Sequence, residues 1–168
     1  MKVAVLSGKG GTGKTFVAVN LAYTDKNSVY IDCDVEEPNG HLFFKPEIMQ
    51  KADVNVKIPV CDEYLCNGCR KCVLFCEFHA LAYIGSKLMV FDKICHSCGG
   101  CEIVCPQKAI SEKDKTIGHY EYGDSDCVKV KTGILNTGET SGIPIIKQLL
   151  KDDPYNTGKD IFIDCPPG

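Results

Sequence analysis

The apolar residues of this chain fall into short runs that end in glycine or aspartate, a pattern typical of buried strands followed by functional loops. Residues 3–6 predict a first strand, which leads through a glycine-rich loop into a helix predicted from Lys14 to about Tyr23. Residues 28–31 predict a second buried strand, and an acidic loop follows it. A strand, a loop, a helix and another strand in this order predict an α/β fold with a parallel sheet.

The pattern changes at about residue 54 and returns to the α/β type after about residue 115. Between these positions the sequence repeats itself, so that Cys66 aligns with Cys95 at an offset of 29 residues. Each half of the repeat predicts a cysteine loop, a short helix and a short strand. The remaining predicted elements are strands at residues 82–84, 88–91, 127–131 and 161–163 and a helix at residues 143–150.

Composition and charge exclude several classes of partner. The chain of 168 residues has a net charge of −3 and no dense basic run, so neither nucleic acid nor an anionic membrane is expected to bind it. No apolar run approaches the ~20 residues of a membrane span, and the apolar start is too short for a signal peptide. A cytoplasmic location is therefore expected, where the 12 cysteines indicate metal binding rather than disulfides.

Eight of these cysteines form two runs with the same spacing, C-x2-C-x2-C-x3-C. The first run is Cys66, Cys69, Cys72 and Cys76, and the second run is Cys95, Cys98, Cys101 and Cys105. This is the spacing of bacterial ferredoxins, in which the fourth cysteine of each run ligates the cluster of the other run. Two [4Fe-4S] clusters with crossed ligands are therefore predicted. The first cysteine set comprises Cys66, Cys69, Cys72 and Cys105, and the second comprises Cys95, Cys98, Cys101 and Cys76.

Zinc is the alternative metal, although structural zinc sites usually draw on separated pairs of cysteines. One departure from the ferredoxin pattern is Glu77 after Cys76, because Pro106 follows Cys105. A carboxylate there would tend to lower the potential of a nearby cluster. The remaining cysteines are interpreted as small hydrophobic side chains, and they are Cys33, Cys61, Cys127 and Cys165.

A phosphate-binding loop is predicted between the first strand and the first helix. Residues 8–15 match G-x-x-x-x-G-K-[ST] in the strand-to-helix context that this motif requires. Its members are Gly8, Lys9, Gly10, Gly11, Thr12, Gly13, Lys14 and Thr15. The glycines let the backbone turn tightly and aim its N–H groups at phosphate oxygens. Lys14 would neutralise β/γ-phosphate charge, and the Thr15 hydroxyl would hold Mg²⁺.

Three aspartates at strand ends are candidate carboxylates for the same nucleotide site. Asp164 follows an apolar strand, as a Walker B carboxylate does, and Asp32 and Asp34 follow the second strand. A solvated acidic turn is the alternative for Asp32 and Asp34. The predicted ligands are therefore ATP and Mg²⁺, and the candidate magnesium-binding residues are Thr15, Asp32, Asp34 and Asp164.

Together these motifs resemble one class of nucleotide-binding proteins. Residues 9–15, KGGTGKT, resemble the deviant Walker A motif of the MinD/ParA/Mrp and nitrogenase iron protein class. Residues 31–34 resemble the first switch of that class, and residues 163–168 its Walker B motif and second switch. With the cysteine runs between them, the chain resembles MinD-superfamily P-loop ATPases that contain an inserted ferredoxin domain.

This resemblance implies a domain organisation and an oligomeric state. Residues 1–60 and 112–168 would be two segments of the P-loop ATPase domain, and residues 61–111 an inserted ferredoxin-like domain. The family continues well beyond its Walker B turn, so the chain is interpreted as the N-terminal part of such an ATPase. Two protomers of the family enclose two ATP molecules, which implies a homodimer.

The resemblance also implies catalytic roles. Lys9 would reach the nucleotide of the partner protomer, Lys14 would act within its own protomer, and Asp34 would lie near the attacking water. From the residues alone, the alternative for Lys9 is a solvated loop lysine.

Three functions are consistent with the motifs. The preferred one is an ATPase that couples its nucleotide state to electron transfer through two [4Fe-4S] clusters, with an unknown redox partner. The second is an iron–sulfur cluster assembly or carrier ATPase of the Mrp type, although eight crossed cysteines are typical of permanent clusters. The third is a simple ferredoxin-like electron carrier whose truncated nucleotide domain has no function. ATPase activity of this chain in isolation is therefore a hypothesis.

Overall fold

The computed structural model describes residues 1–25, 27–126, 128–151 and 158–168. The chain divides into two compact units. Unit 1 comprises Met1–Val54, Ile117–Thr137 and Ser141–Gly168, and unit 2 comprises Asn55–Thr116 and Gly138–Thr140. The insert expected at residues 61–111 falls within unit 2, which is wider by several residues at each end. The three-segment division drawn from the sequence remains a prediction.

The described residues form eight strands and five short α-helices. The strands are β1 (Lys2–Val5), β2 (Ser28–Asp32), β3 (Glu47–Cys61), β4 (Leu81–Ile84), β5 (Lys87–Val90), β6 (Ile110–Ser125), β7 (Val128–Leu135) and β8 (Ile161–Asp164). The helices are α1 (Lys14–Thr24), α2 (Gly40–Phe44), α3 (Lys71–Phe75), α4 (Gly100–Ile103) and α5 (Ile143–Leu149). A 3₁₀ turn lies at Asp92–Ile94. Within the described ranges, every helix is too short and too polar to cross a membrane.

A mixed sheet with the strand order β1-β8-β2-β7-β6-β3 forms the centre of the α/β part. The pairs β1/β8, β8/β2 and β2/β7 are parallel, as the sequence predicts, whereas β6 runs antiparallel to β7. The prediction of a purely parallel sheet is therefore wrong for β6. Only two residues separate β6 from β7, and so short a connection can join only antiparallel strands.

Several elements lie where the sequence predicts none. The helix α2 begins at Gly40, where the acidic loop was expected to end, and β3 is one continuous strand through the position where the sequence pattern changes. Both β3 and β6 run from one unit into the other. Of the strand expected at residues 127–131, Val128 onward belongs to β7, and Cys127 lies outside the described residues.

The core of unit 1 lies between α1 and the parallel strands. The helix buries the small side chains Ala18 and Ala22 completely, together with most of Val19. Tyr30 of β2 is also fully buried, and its ring lies 5.0 Å from that of Phe44 in α2. Phe16, by contrast, is 64% exposed although it belongs to the same helix. The small residues face the sheet because alanine lets a helix backbone approach closely.

On α5, Ile145 packs into a socket formed by two strand glycines. A Cβ at Gly118 of β6 would lie 2.6 Å from the Ile145 side chain, and one at Gly133 of β7 would lie 2.8 Å from it. Ile145 is completely buried as a result. Because both strand positions are glycine, α5 can pack closely against the sheet at Ile145.

Unit 2 is built from two similar halves. The helices α3 and α4 begin after Arg70 and Gly99, which are equivalent in the 29-residue repeat and both left-handed, with φ of 59° and 71°. His79 and Lys108 are also equivalent, with φ of 52° and 49°. The repeat found in the sequence is thus confirmed in the backbone. The buried core is small, with Leu81, Ile110 and Cys72 at its centre.

Truncation of the buried α5 side chain tests this packing. Ile145→Ala should reduce the free energy of unfolding of unit 1 by about 2–5 kcal/mol, because the socket between the glycines cannot collapse onto a smaller side chain. Ile143→Ala is the matched control, since Ile143 is 59% exposed on the same helix and should change stability by less than about 0.5 kcal/mol. Urea unfolding followed by far-ultraviolet circular dichroism measures both. Equal losses in the two variants would contradict the packing described.

Candidate functional site

The predicted phosphate loop connects β1 to α1 in the structure. Gly11 and Gly13 have positive φ of 73° and 87°, a backbone conformation that side chains disfavour. Gly8 and Gly10 lack this conformation, and a Cβ at either would meet no described atom within 4 Å. The described chain thus gives no steric reason for these two glycines, whereas a ligand lying against the loop backbone would.

Hydrogen bonds within the loop maintain its shape. The Ser7 hydroxyl donates to the Lys9 carbonyl at 2.8 Å, and the Thr12 hydroxyl donates to the Ser7 oxygen at 2.7 Å. The N–H of Gly168 donates to the Ser7 carbonyl at 3.2 Å, which ties the turn after β8 to the start of the loop. The loop and the turn after Asp164 are therefore adjacent.

Two of the candidate carboxylates lie side by side at this edge of the sheet. Asp32 is the last residue of β2 and pairs in register with Asp164, the last residue of β8. Asp164 also pairs with Val5, from which the chain leads into the phosphate loop. Asp32 and Asp164 are 0% and 1% exposed. The carboxyl ends of three neighbouring parallel strands thus bring the loop and both acids together, as is typical of ligand sites in α/β sheets.

The Asp164 carboxylate has one free oxygen. Its Oδ2 accepts a hydrogen bond from the Tyr30 hydroxyl at 3.1 Å. Its Oδ1 is buried and has no hydrogen-bond partner among the described residues. A buried carboxylate oxygen without a partner is costly, and a cation is the natural partner for it. Asp164 therefore fits the magnesium ligand that the sequence predicts.

Asp32 has a different environment, because both of its oxygens accept backbone hydrogen bonds. The N–H groups of Asp34 and Gly40 donate to it at 3.2 and 2.9 Å, which fixes the loop between β2 and α2. Burial raises the pKa of Asp32 to about 7, and the two backbone hydrogen bonds partly oppose this effect. The geometry gives Asp32 a structural role in the loop, and its role as a magnesium ligand remains a prediction.

Lys14 brings a positive charge to these acids. Its side chain is 8% exposed, which is unusual for a lysine, at the start of α1. Partial burial raises the pKa of Asp34, and the nearby charge of Lys14 counteracts that effect. Thr15 is half-buried beside Lys14, whereas Lys9 is exposed in the loop. The structure thus places Lys14 near Asp34, whereas Lys9 is exposed to solvent.

The eight repeated cysteines line two cavities in unit 2. One cavity is lined by Cys66, Cys69, Cys72 and Cys105, and the other by Cys76, Cys95, Cys98 and Cys101. Each cavity combines three cysteines of one run with the fourth of the other, which is the crossed grouping expected from the spacing. No three described His, Cys, Asp or Glu side chains lie close enough to hold a single metal ion. The thiols surround a space, and four thiolates are the donors that a [4Fe-4S] cluster takes.

Burial disfavours the ionised form of several of these thiols. It raises the pKa of Cys101 to about 11 and also raises that of Cys72. A metal ligand must be a thiolate, so cluster binding would release protons from these side chains.

Cys61 lies next to the first cysteine set, although the cysteine spacing in the sequence did not predict this. The pKa of Cys61 is raised to about 11, mainly by burial and secondly by a hydrogen bond with the adjacent Cys66 thiol. The sequence interpretation of Cys61 as a small hydrophobic side chain misses this proximity, because Cys61 lies outside both runs. In the second cavity, the rings of Phe78 and His96 are stacked at 3.7 Å and 11°. No sequence signal predicted that contact.

Residues 65–110 match the family described as a 4Fe-4S dicluster domain. This match confirms the ferredoxin part of the resemblance and indicates an iron–sulfur electron carrier.

Two relatives extend the likeness beyond the repeat. Uncharacterized protein MJ0579 of Methanocaldococcus jannaschii is 31% identical over 171 residues, which covers 98% of this chain and 59% of the relative. Uncharacterized protein MJ0578 of the same organism is 36% identical over 86 residues, which covers 48% of this chain and 30% of the relative. The chain therefore spans 59% and 30% of the lengths of these relatives.

Paired cysteine substitutions test the crossed ligand sets. Cys66→Ala with Cys105→Ala should remove only the first cluster and leave about four iron atoms per chain, because both residues belong to one cysteine set. Cys66→Ala with Cys76→Ala should remove both clusters, because these residues belong to different sets. Cys165→Ala is the control and should retain all the iron. Iron and acid-labile sulfide analysis of the anaerobically purified chains distinguishes the outcomes. The reverse pattern would mean that each run ligates its own cluster.

Proposed function

We propose that this chain binds Mg²⁺-ATP and couples its nucleotide state to electron transfer through two [4Fe-4S] clusters, as the nucleotide-binding part of a MinD-like ATPase with an inserted ferredoxin-like domain. The observation that carries the nucleotide part is the shared edge of β1, β8 and β2. There the phosphate loop follows β1, and Asp164 and Asp32 end the adjacent parallel strands β8 and β2. Residues 1–60 and 112–168 would form the P-loop domain, and residues 61–111 the insert.

The loop and the three aspartates have separate roles in this proposal. The backbone N–H groups of the loop would cradle the phosphates, and Lys14 would balance their charge. The Thr15 hydroxyl and the free Oδ1 of Asp164 would hold Mg²⁺, with Asp32 close by. Asp34, whose pKa is raised mainly by burial, would orient the attacking water. The open space over Gly8 and Gly10 supports a ligand at this position.

The proposed role of Lys9 is to contact the nucleotide bound to a partner protomer. It is exposed in the phosphate loop, and the described structure gives its side chain no hydrogen bond or ion pair. In a homodimer that encloses two nucleotides, it would contact the nucleotide of the partner. In this homodimer, ATP hydrolysis would need two copies of the chain.

The cysteine sets provide the redox part of the proposal. Cys66, Cys69, Cys72 and Cys105 would hold one cluster, and Cys76, Cys95, Cys98 and Cys101 the other. Such clusters exchange single electrons with a protein partner. The dicluster match by itself also supports a second function, a plain electron carrier without nucleotide dependence. The two functions differ in whether Mg²⁺-ATP binds at all.

Substitution of the buried loop lysine tests nucleotide binding. Lys14→Ala should weaken binding of Mg²⁺-ATP at least 100-fold, because the phosphate charge loses its buried counter-charge. The visible absorption from the iron should persist, because Lys14 lies in unit 1 and the cysteine sets lie in unit 2. Lys9→Ala is the matched control in the same loop and should retain most of the affinity of a single chain. Isothermal titration calorimetry measures all three proteins.

The outcomes separate the two functions. Wild-type protein that contains iron but binds no Mg²⁺-ATP would leave only the plain electron carrier. Equal affinity losses in Lys14→Ala and Lys9→Ala would contradict the distinct roles of the two lysines.

A further inference from the structure

We propose that the two cysteine sets hold clusters of unequal reduction potential, and that Arg70 and Glu112 make the first set the higher of the two. This inference rests on the proposed occupancy of both sets by [4Fe-4S] clusters, but it does not depend on nucleotide binding. It follows from a repeat that is symmetric in its backbone and asymmetric in its charges.

The backbone symmetry makes the two halves directly comparable. Gly68 and Ser97 are equivalent in the repeat and have φ of 71° and 53°. The N–H of His79 donates to the Cys76 carbonyl at 3.0 Å, and the equivalent bond from Lys108 to Cys105 measures 3.2 Å. Each set also has one backbone N–H directed at a cysteine sulfur, that of Ala109 to Cys105 Sγ at 3.3 Å in the first set and that of Ser97 to Cys95 Sγ at 3.5 Å in the second. Differences between the sets must come chiefly from side chains.

The first half places positive charge at its cysteine loop. Arg70 and Lys71 both line the first cavity. The Arg70 guanidinium lies over the ring of Tyr83 at 5.2 Å, a cation–π contact that holds the charge in place. Tyr83 in turn covers the loop, since its hydroxyl lies 2.5 Å from where a Cβ of Gly68 would be. Arg70 also tolerates a left-handed φ of 59°, which is unfavourable for a residue with a side chain.

The second half has neutral or negative residues at the same positions. Gly99 and Gly100 replace Arg70 and Lys71, and Glu112 replaces Tyr83 in the repeat. Glu112 is half-buried, and its Oε1 lies 3.4 Å from where a Cβ of Gly99 would be. Glu112 and Glu77 both line the second cavity, and His96 is the other ionisable side chain there besides the cysteines. The second set thus faces two carboxylates where the first faces two cations, although Lys57 interacts with the charge of Glu112 and offsets part of it.

The sign of the effect follows from charge balance. One-electron reduction makes a cluster and its four thiolates more negative by one charge. Arg70 and Lys71 stabilise that added charge at the first set, whereas Glu77 and Glu112 oppose it at the second. An electron supplied by a one-electron donor would therefore reside at the first set. Glu112 should act more strongly than Glu77, because a half-buried charge is less screened than an exposed one, and the same screening weakens the effect of the exposed Arg70 and Lys71.

A redox titration with dithionite, followed by electron paramagnetic resonance, tests the order. The wild-type chain should give two one-electron waves. Glu112→Gln should raise only the lower wave, and Arg70→Gly should lower only the upper wave, each by at least a threefold change in the one-electron equilibrium. Arg70→Lys is the matched control, because it keeps the charge and should keep most of the upper potential. Glycine is the natural occupant of the equivalent position, Gly99, so Arg70→Gly should not strain the backbone.

Single-cluster variants assign the waves independently. Cys98→Ala removes a ligand of the second set and should leave the upper wave, and Cys69→Ala should leave the lower wave. Two coincident waves, or a reversed assignment, would overturn the inequality while leaving the iron–sulfur function intact. A wild-type chain without iron and sulfide would overturn both.

Discussion

Two carboxylates buried side by side, those of Asp32 and Asp164, are the constraint on which unit 1 depends. Each must be compensated, because an unpartnered carboxylate is costly away from water. The Asp32 carboxylate accepts hydrogen bonds from two backbone N–H groups that follow it in the chain. The Asp164 carboxylate accepts one from the Tyr30 hydroxyl. Tyr30 can reach Asp164 only because position 40 is glycine, where a Cβ would lie 2.2 Å from the tyrosine ring. One oxygen of Asp164 still lacks a partner among the described residues, and the proposed Mg²⁺ would complete the arrangement.

Unit 2 depends on a different constraint, namely the small size of its apolar core. Three buried residues form its centre, one of them a cysteine, and four partly buried aliphatic side chains pack against it, namely Val73, Leu88, Val90 and Val104. Three further cysteines, Cys76, Cys101 and Cys105, pack against this centre. A core this small gives little stability by itself, so metal binding and folding are expected to be coupled. The same thiols would then serve both as ligands and as packing groups.

The sequence predicts those parts of the candidate site that are local along the chain. A phosphate loop between a strand and a helix, and cysteines at fixed spacing, need no knowledge of distant contacts. The bond from Gly40 to Asp32 and the free oxygen of Asp164 could not be predicted, since both depend on tertiary packing. The same holds for Cys61, which lies near Cys66 only in the folded chain. The full length of β3 could not be predicted because its first five residues are all exposed, so no alternation of buried and exposed positions marks them as a strand.

The charge difference between the repeat halves had a partial signal in the sequence. Glu77 could be noticed from its position after Cys76, but Arg70 and Glu112 could not be ranked without the contacts of Tyr83 and Gly99. The positions of side chains in the folded protein therefore add most to a sequence-based prediction where two similar backbones carry different residues.

The central claim is that nucleotide binding and electron transfer are coupled in one chain. Its most direct test is the dissociation constant of Mg²⁺-ATP measured anaerobically with the oxidised and with the dithionite-reduced protein. Coupling predicts that the two constants differ by at least about fivefold, and linkage then requires the reduction potential to shift with nucleotide by the same free energy. Equal dissociation constants in the two redox states would contradict the account, because a ligand without differential affinity cannot change the redox equilibrium.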